Sequence, residues 1–452
     1  MFTKRNIAKL LLAGLIFAVL GYVYGPKASP VKAAPATFVV TNTSPSGAGS
    51  LAQAISDANN NGNPSEQDTI TFNIPVAGDL AIQPTSQLTI TQSVLIDGYT
   101  QGDATANTAI APSPFNGILR VAINNSQSGP ILVTANNVTL QGLTINYGET
   151  GNITVNNANN FKLYGSYLNT AQDGATFMNT YTASQSLVIT NSANVEIGGS
   201  QAARRNLFGF CSDSCISASG SGTTDLSVKG NYIGLGADGV ESLNGIELGG
   251  VGIRLYNNVS YADIGGAASG EGNSIEHNMR GALAVEDSNH VTIKGNRVLM
   301  NFYSDSHGVA GLDGGIFLGG VSDVVVGSVG SGRNIISGNR LGVLRISNST
   351  ATNSASNNIK VEGNYMGVMD DGTTPFPNIM GGFYIDGSTS NVQIISNVIR
   401  NNESDPGVTN RFPGIYVYGN ASKVSMLQNS IYNNNSVGIS DTYAVNNRLN
   451  AP

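Results

Sequence analysis

Residues 226–231 read Leu226-Ser227-Val228-Lys229-Gly230-Asn231. The pattern returns as Val291-Thr292-Ile293-Lys294-Gly295-Asn296 and as Ile359-Lys360-Val361-Glu362-Gly363-Asn364. In each, apolar and polar residues alternate and then stop at Gly-Asn. Alternation at period two is strand chemistry, with one face turned in and the other out. Asn and Gly tolerate the left-handed backbone that turns a chain sharply. The glycine stands at 230, 295 and 363, so the block recurs after 65 and then 68 residues.

A companion block precedes each copy. Val195-Glu196-Ile197-Gly198-Gly199 leads to Arg205-Asn206-Leu207-Phe208. Asp263-Ile264-Gly265-Gly266 leads to Gly272-Asn273-Ser274-Ile275-Glu276-His277-Asn278, and Val325-Val326-Gly327-Ser328 to Arg333-Asn334-Ile335-Ile336-Ser337-Gly338-Asn339. Fixed-period self-similarity is the signature of a solenoid. The super-repeats run over about 195–262, 263–324 and 325–390, with last coils over 391–452. The polar connections are too short for the helices of a doubly wound sheet. The reading is therefore all-β, a right-handed parallel β-helix over 111–452. Each super-repeat is expected to make about three turns, with neighbouring turns ~4.8 Å apart. Asn206, Asn273 and Asn334 are expected to stack along the axis, and Asn231, Asn296, Asn364 and Asn429 to form another stack.

An open coil end invites strand pairing and needs a cover. Residues 37–110 are expected to provide the N-terminal cap and first coils. Within them, residues 50–59 read as a short helix with Ser50 as N-cap, Gln53 three residues on, and Leu51, Ala54, Ile55 and Ala58 on one face.

Residues 1–33 have the plan of an export signal. Lys4, Arg5 and Lys9 precede the apolar run from Leu10 to Tyr24, and small residues follow at Ala33 and Ala34. Cleavage gives a secreted or cell-surface protein, and an uncleaved segment gives an N-terminal membrane anchor. The net charge of −7, without a basic cluster, excludes a nucleic-acid partner. Cys211 and Cys215 are expected to pair as a local disulfide staple, the alternative being two buried thiols.

Gly49 to Ile55 resembles the Cys-Ser-Leu-Arg-Glu-Ala-Ile element that opens many secreted bacterial β-helix proteins. Ser50, Leu51, Ala54 and Ile55 match it, whereas Gly49, Ala52 and Gln53 replace its Cys, Arg and Glu. Asp68 to Phe72, Val94 to Gly98, and Gly230-Asn231-Tyr232-Ile233-Gly234 with Asp238-Gly239 are similar to the same proteins. The resemblance is to the pectate-lyase-like superfamily, and it implies a surface or secreted β-helix without fixing an activity; the role expected here is structural, adhesive or carbohydrate-binding. Its enzymes act on acidic polysaccharides, so a polysaccharide lyase or epimerase acting on uronate-containing glycans is the alternative.

Two sets of residues are candidates. Proton abstraction beside a uronate needs a base, a cation to neutralise the carboxylate, and an acid. His307, Arg297 or Lys294, and Tyr303 are residue types for those roles. Lys294 shares its repeat position with Lys229 and Glu362, which reads as a solvent-facing column. The other set lies on the longer excursions after each Gly-Asn strand, because solenoids bind through loops of one side. Those carry Asp238 and Glu241, then Asp305 and Asp313, then Asp370 and Asp371. They are expected to contact an extracellular glycan or a surface protein. No cofactor is called for beyond Ca²⁺ on these carboxylates. Ordinary Asp-Gly turns are the competing reading.

Overall fold

A computed structural model describes residues 34–62, 66–146, 151–176, 185–209, 211–239, 250–301, 314–340, 342–379, 381–403, 413–442 and 448–449. The expected export segment lies outside them. The chain winds as a right-handed parallel β-helix in which three long parallel sheets form the walls. Each turn contributes one strand to each sheet in the order I, II, III. Ser227–Lys229, Ser260–Gly265, Asn289–Lys294, Ser322–Val326 and Asn357–Glu362 are successive neighbours in sheet I. Tyr232–Ile233, Ser274–Glu276 and Arg297–Leu299 are successive in sheet II, and Val251–Tyr256, Leu283–Glu286 and Ile316–Gly319 in sheet III.

That order corrects the turn count. The step from Gly230 to Gly295 crosses two turns, as does the step to Gly363, so each super-repeat makes two turns where three were expected. Equivalent loops therefore lie ~10 Å apart. The overcount arose because the corners are long: residues 266–273 form only one connection between sheets I and II.

Inward positions stack identical chemistry on itself. Val228, Ile264, Ile293, Val326 and Val361 fill the sheet I side, and Ile233, Ile275, Val298, Ile336 and Met366 the sheet II side, all fully buried. Each such side chain stabilises the coil by roughly 1.5–3 kcal/mol.

Polar residues organise the corners. The two expected asparagine stacks are one: Asn206, Asn231, Asn273, Asn296, Asn334, Asn364, Asn397 and Asn429 follow turn by turn where sheet I passes to sheet II. Each Nδ2 donates to the next Oδ1 at 2.9–3.1 Å. Backbone N–H groups share those acceptors; Asn334 N, for example, donates to Asn364 Oδ1 at 3.2 Å. A second ladder, Asn278, Asn301, Asn339, Asn378, Asn402 and Asn434, lines the next corner with links of 2.8–3.0 Å. Buried amides satisfied in this way fix the register of the turns that the ladders cross.

Helix α1 spans Leu51–Asn60, and Ser50 Oγ accepts the Gln53 N–H at 3.1 Å. Leu51, Ala54, Ile55 and Ala58 are its buried face, packed on the first two strands of sheet I, Thr37–Val40 and Asp68–Phe72. A disulfide joins Cys211 to Cys215, with both residues buried.

Candidate functional site

The outer face of sheet II carries a motif that follows the two-turn period. Arg205 lies over the Tyr232 ring, 4.5 Å from its centroid, and Arg333 lies over Tyr365 at 3.7 Å. In each pair, the arginine precedes a ladder asparagine and the tyrosine follows the ladder asparagine of the next turn. A guanidinium over an aromatic face is an attractive and partly desolvated contact.

The first pair is also clamped from outside by the long connection over residues 98–120. Arg205 donates to the carbonyls of Ser113 and Ala109, both at 2.8 Å, and the Tyr232 hydroxyl donates to Ser113 O at 2.9 Å. Phe115 meets Tyr167 edge to face. The C-terminal part of the sheet is covered differently, by residues 368–378, where Gly338 N donates to Phe376 O at 3.2 Å.

Asp238 and Asp371 take part in this packing. Each stands in an Asp-Gly turn folded over the tyrosine of its own turn. The following glycine has positive φ, and a Cβ would lie 3.1 Å from Tyr232 Oη at Gly239 and 2.6 Å from Tyr365 Cζ at Gly372. Asp371 holds its loop directly: Oδ1 accepts from the Thr373 and Thr374 N–H groups at 2.8 Å, and Oδ2 accepts from the Thr374 hydroxyl. These bonds hold its carboxyl far below the usual range.

The middle unit breaks the motif. Gly272 stands where the flanking units place arginine, and Arg297 where they place tyrosine. No side chain fits at 272, because a Cβ would lie 2.0 Å from Gly295 O. The missing pair leaves a cleft of about 270 Å³ between the Ala111-Pro112 clamp, the Ala267 to Gly270 corner, Ser274, Ser331 and Arg297.

Arg297 begins the strand Arg297–Leu299, in register with Ser274, and Nη1 pairs with Asp370 from the covering loop. Arg297 and Asp370 came from different candidate sets, and the structure brings them together. Glu276 lies on the same outer face of the neighbouring strand, Ser274–Glu276, and is buried. Burial pushes its carboxyl up to about 7; Arg297 opposes that shift and Asp370 adds to it. A guanidinium can donate to hydroxyl or carboxylate oxygens, and an acid poised near neutrality can take or give a proton.

Lys294 is elsewhere, on the outer face of sheet I, opposite Gly265 in the column that includes Lys229. Glu241, Tyr303, Asp305, His307 and Asp313 lie outside the described residues. Among the described residues no group of three or more His, Cys, Asp or Glu comes together to hold a metal ion, and no helix is long and apolar enough to cross a membrane. Sequence reasoning missed Gly272 as a site-forming residue and gave Glu276 only as part of a repeat block. The available signal was the interrupted alternation of Arg-Asn with Gly-Asn-Tyr.

No family model matches the chain, and no curated protein matches it in sequence. Among solved structures it is similar to the periplasmic alginate epimerase AlgG, at 11% identity over 82% of this chain and 77% of that one, with a TM-score of 0.50. The A-module of the mannuronan C-5 epimerase AlgE4 of Azotobacter vinelandii matches at 10% identity over 91% and 98%, with a TM-score of 0.45. PfbA, a surface adhesin of Streptococcus pneumoniae, matches at 13% over 86% and 87%, with a TM-score of 0.41. At such identities the likeness to the first shows the parallel β-helix fold alone.

Proposed function

We propose that this chain is a secreted or cell-surface β-helix protein with an adhesive or carbohydrate-binding role, and that the cleft at Arg297 is its glycan site. The observation that carries this reading is the local loss of the packing pair: the coil and both asparagine ladders run through the middle unit intact, while its outer face opens. The cleft is walled by small residues and has one forked cationic donor, which suits an oxygen-rich ligand. Asp370 satisfies Arg297 in the ligand-free chain, and a ligand oxygen takes its place.

The test is a glycan array probed with the purified protein and with Arg297→Ala, in the presence and absence of Ca²⁺. Binding that falls at least tenfold in the variant is the expected result. An array without hits, or one on which no hit weakens in Arg297→Ala, would sink the assignment.

Catalysis on a uronate-containing glycan is the second reading, and Glu276 is the observation that favours it. A carboxyl near pH 7 beside a guanidinium has the properties of a general acid or base. Incubation with alginate and pectate, followed by ultraviolet absorbance of unsaturated ends and by NMR for epimerised residues, tests it. Product that disappears in Glu276→Gln supports this reading, and product that depends instead on His307 moves the chemistry to that residue. No product from either polymer removes it.

A further inference from the structure

On the opposite side of the coil, sheet III passes to sheet I through a corner that sets one non-glycine residue per turn in the left-handed conformation. In register, successive turns place Asp225, Tyr261, His290, Asp323, Asn358 and Asn391 there, with φ between 52° and 57°. Asparagine, aspartate and histidine adopt this backbone readily. Tyrosine does so at a cost, so Tyr261 is the outlier of the six, and its occurrence points to something other than fold stability.

Tyr261 gains little from burial in return. Tyr261 is 57% exposed and the His290 side chain 46%. Their rings stack on each other, with centroids 4.6 Å apart and planes 23° from parallel. Polar groups flank the stack. His290 Nδ1 is 2.7 Å from Asn289 Oδ1, Asp323 Oδ2 is 4.0 Å from His290 Nε2, and Asn358 donates to the other Asp323 oxygen. Asp225, one turn before Tyr261, is also exposed.

We propose that Tyr261 and His290, with Asp225 and Asp323 on either side, form a stacking platform for uncharged pyranose rings, separate from the cleft at Arg297. The stacked pair offers part-exposed aromatic surface, and the carboxylates and amides offer hydroxyl partners at a spacing of one turn. A sugar ring is amphipathic in the matching way, with an apolar face and a rim of hydroxyls. The acidic flanks disfavour an anionic glycan. A protein partner would need a wider apolar surface than two rings, and the neighbouring column positions are acids and amides.

The test uses the full chain and two probes, the β-1,4-linked hexasaccharides of glucose and of N-acetylglucosamine, titrated by calorimetry. Tyr261→Asn installs a residue that this column already uses. The variant is expected to keep or raise its Tm while binding at least tenfold more weakly, and Arg297→Tyr is expected to bind these probes unchanged. No binding of either probe by the wild-type chain would overturn the proposal. Undiminished binding by Tyr261→Asn would overturn it too. A lower Tm in that variant would show that the ring serves the fold, and would equally overturn it.

Discussion

The flanking and middle super-repeats share one coil and differ on one face. In the flanks, Arg205 with Tyr232 and Arg333 with Tyr365 close the outer surface of sheet II. In the middle unit, Gly272 and Arg297 leave it open, although Asn273 and Asn296 continue the same ladder. Residues that build the scaffold therefore recur through all three units, and the departure from the repeat marks the candidate site. In a solenoid, a broken repeat is more informative about function than a kept one.

The largest expected effect lies in the flanks. Tyr232 is buried, so Tyr232→Ala should cost about 4 kcal/mol in denaturant unfolding. Arg297→Ala, at the equivalent position, removes a part-exposed ion pair and should cost less than about 1 kcal/mol. Equal costs would mean that Arg297 is a packing residue like its counterparts.

The ladder gives the next comparison. Asn334→Ala and Asn296→Ala should each cost about 3 kcal/mol, since the first leaves the Asn296 N–H and amide, and the second those of Asn273, without their acceptor. A much smaller effect at Asn296 would show that the coil itself is altered in the middle unit.

Glu276 supplies a pH test. Its folded-state value of about 7 lies above the ordinary glutamate value of roughly 4.3. Between the two, the folded chain holds a proton that the unfolded chain has released. Stability should thus fall as pH rises through this window, by at most about 4 kcal/mol. Glu276→Gln should flatten that slope and be more stable than wild type at pH 8. A wild-type profile without the slope would remove Glu276 as a buried acid.

Much of the coil was legible because strand alternation and Gly-Asn corners are local signals. The number of turns per repeat was not, since it depends on corner lengths such as 266–273, which vary between turns. The fused ladder escaped for the same reason: Asn206 and Asn231 become neighbours only once the turn is known to close between them. At the site, Arg297 was visible as a cation, but its partner Asp370 lies 73 residues away on a covering loop. The burial that raises Glu276 comes from tertiary packing on sheet II, which the sequence around it does not reveal.

The most direct test of the central claim is calorimetric titration of the strongest array glycan that weakens in Arg297→Ala into wild-type protein and into Arg297→Tyr, which restores the tyrosine of the flanking units. Binding at least tenfold weaker, with an unchanged or higher Tm, is the predicted result. Affinity that survives the substitution would contradict the assignment of this cleft.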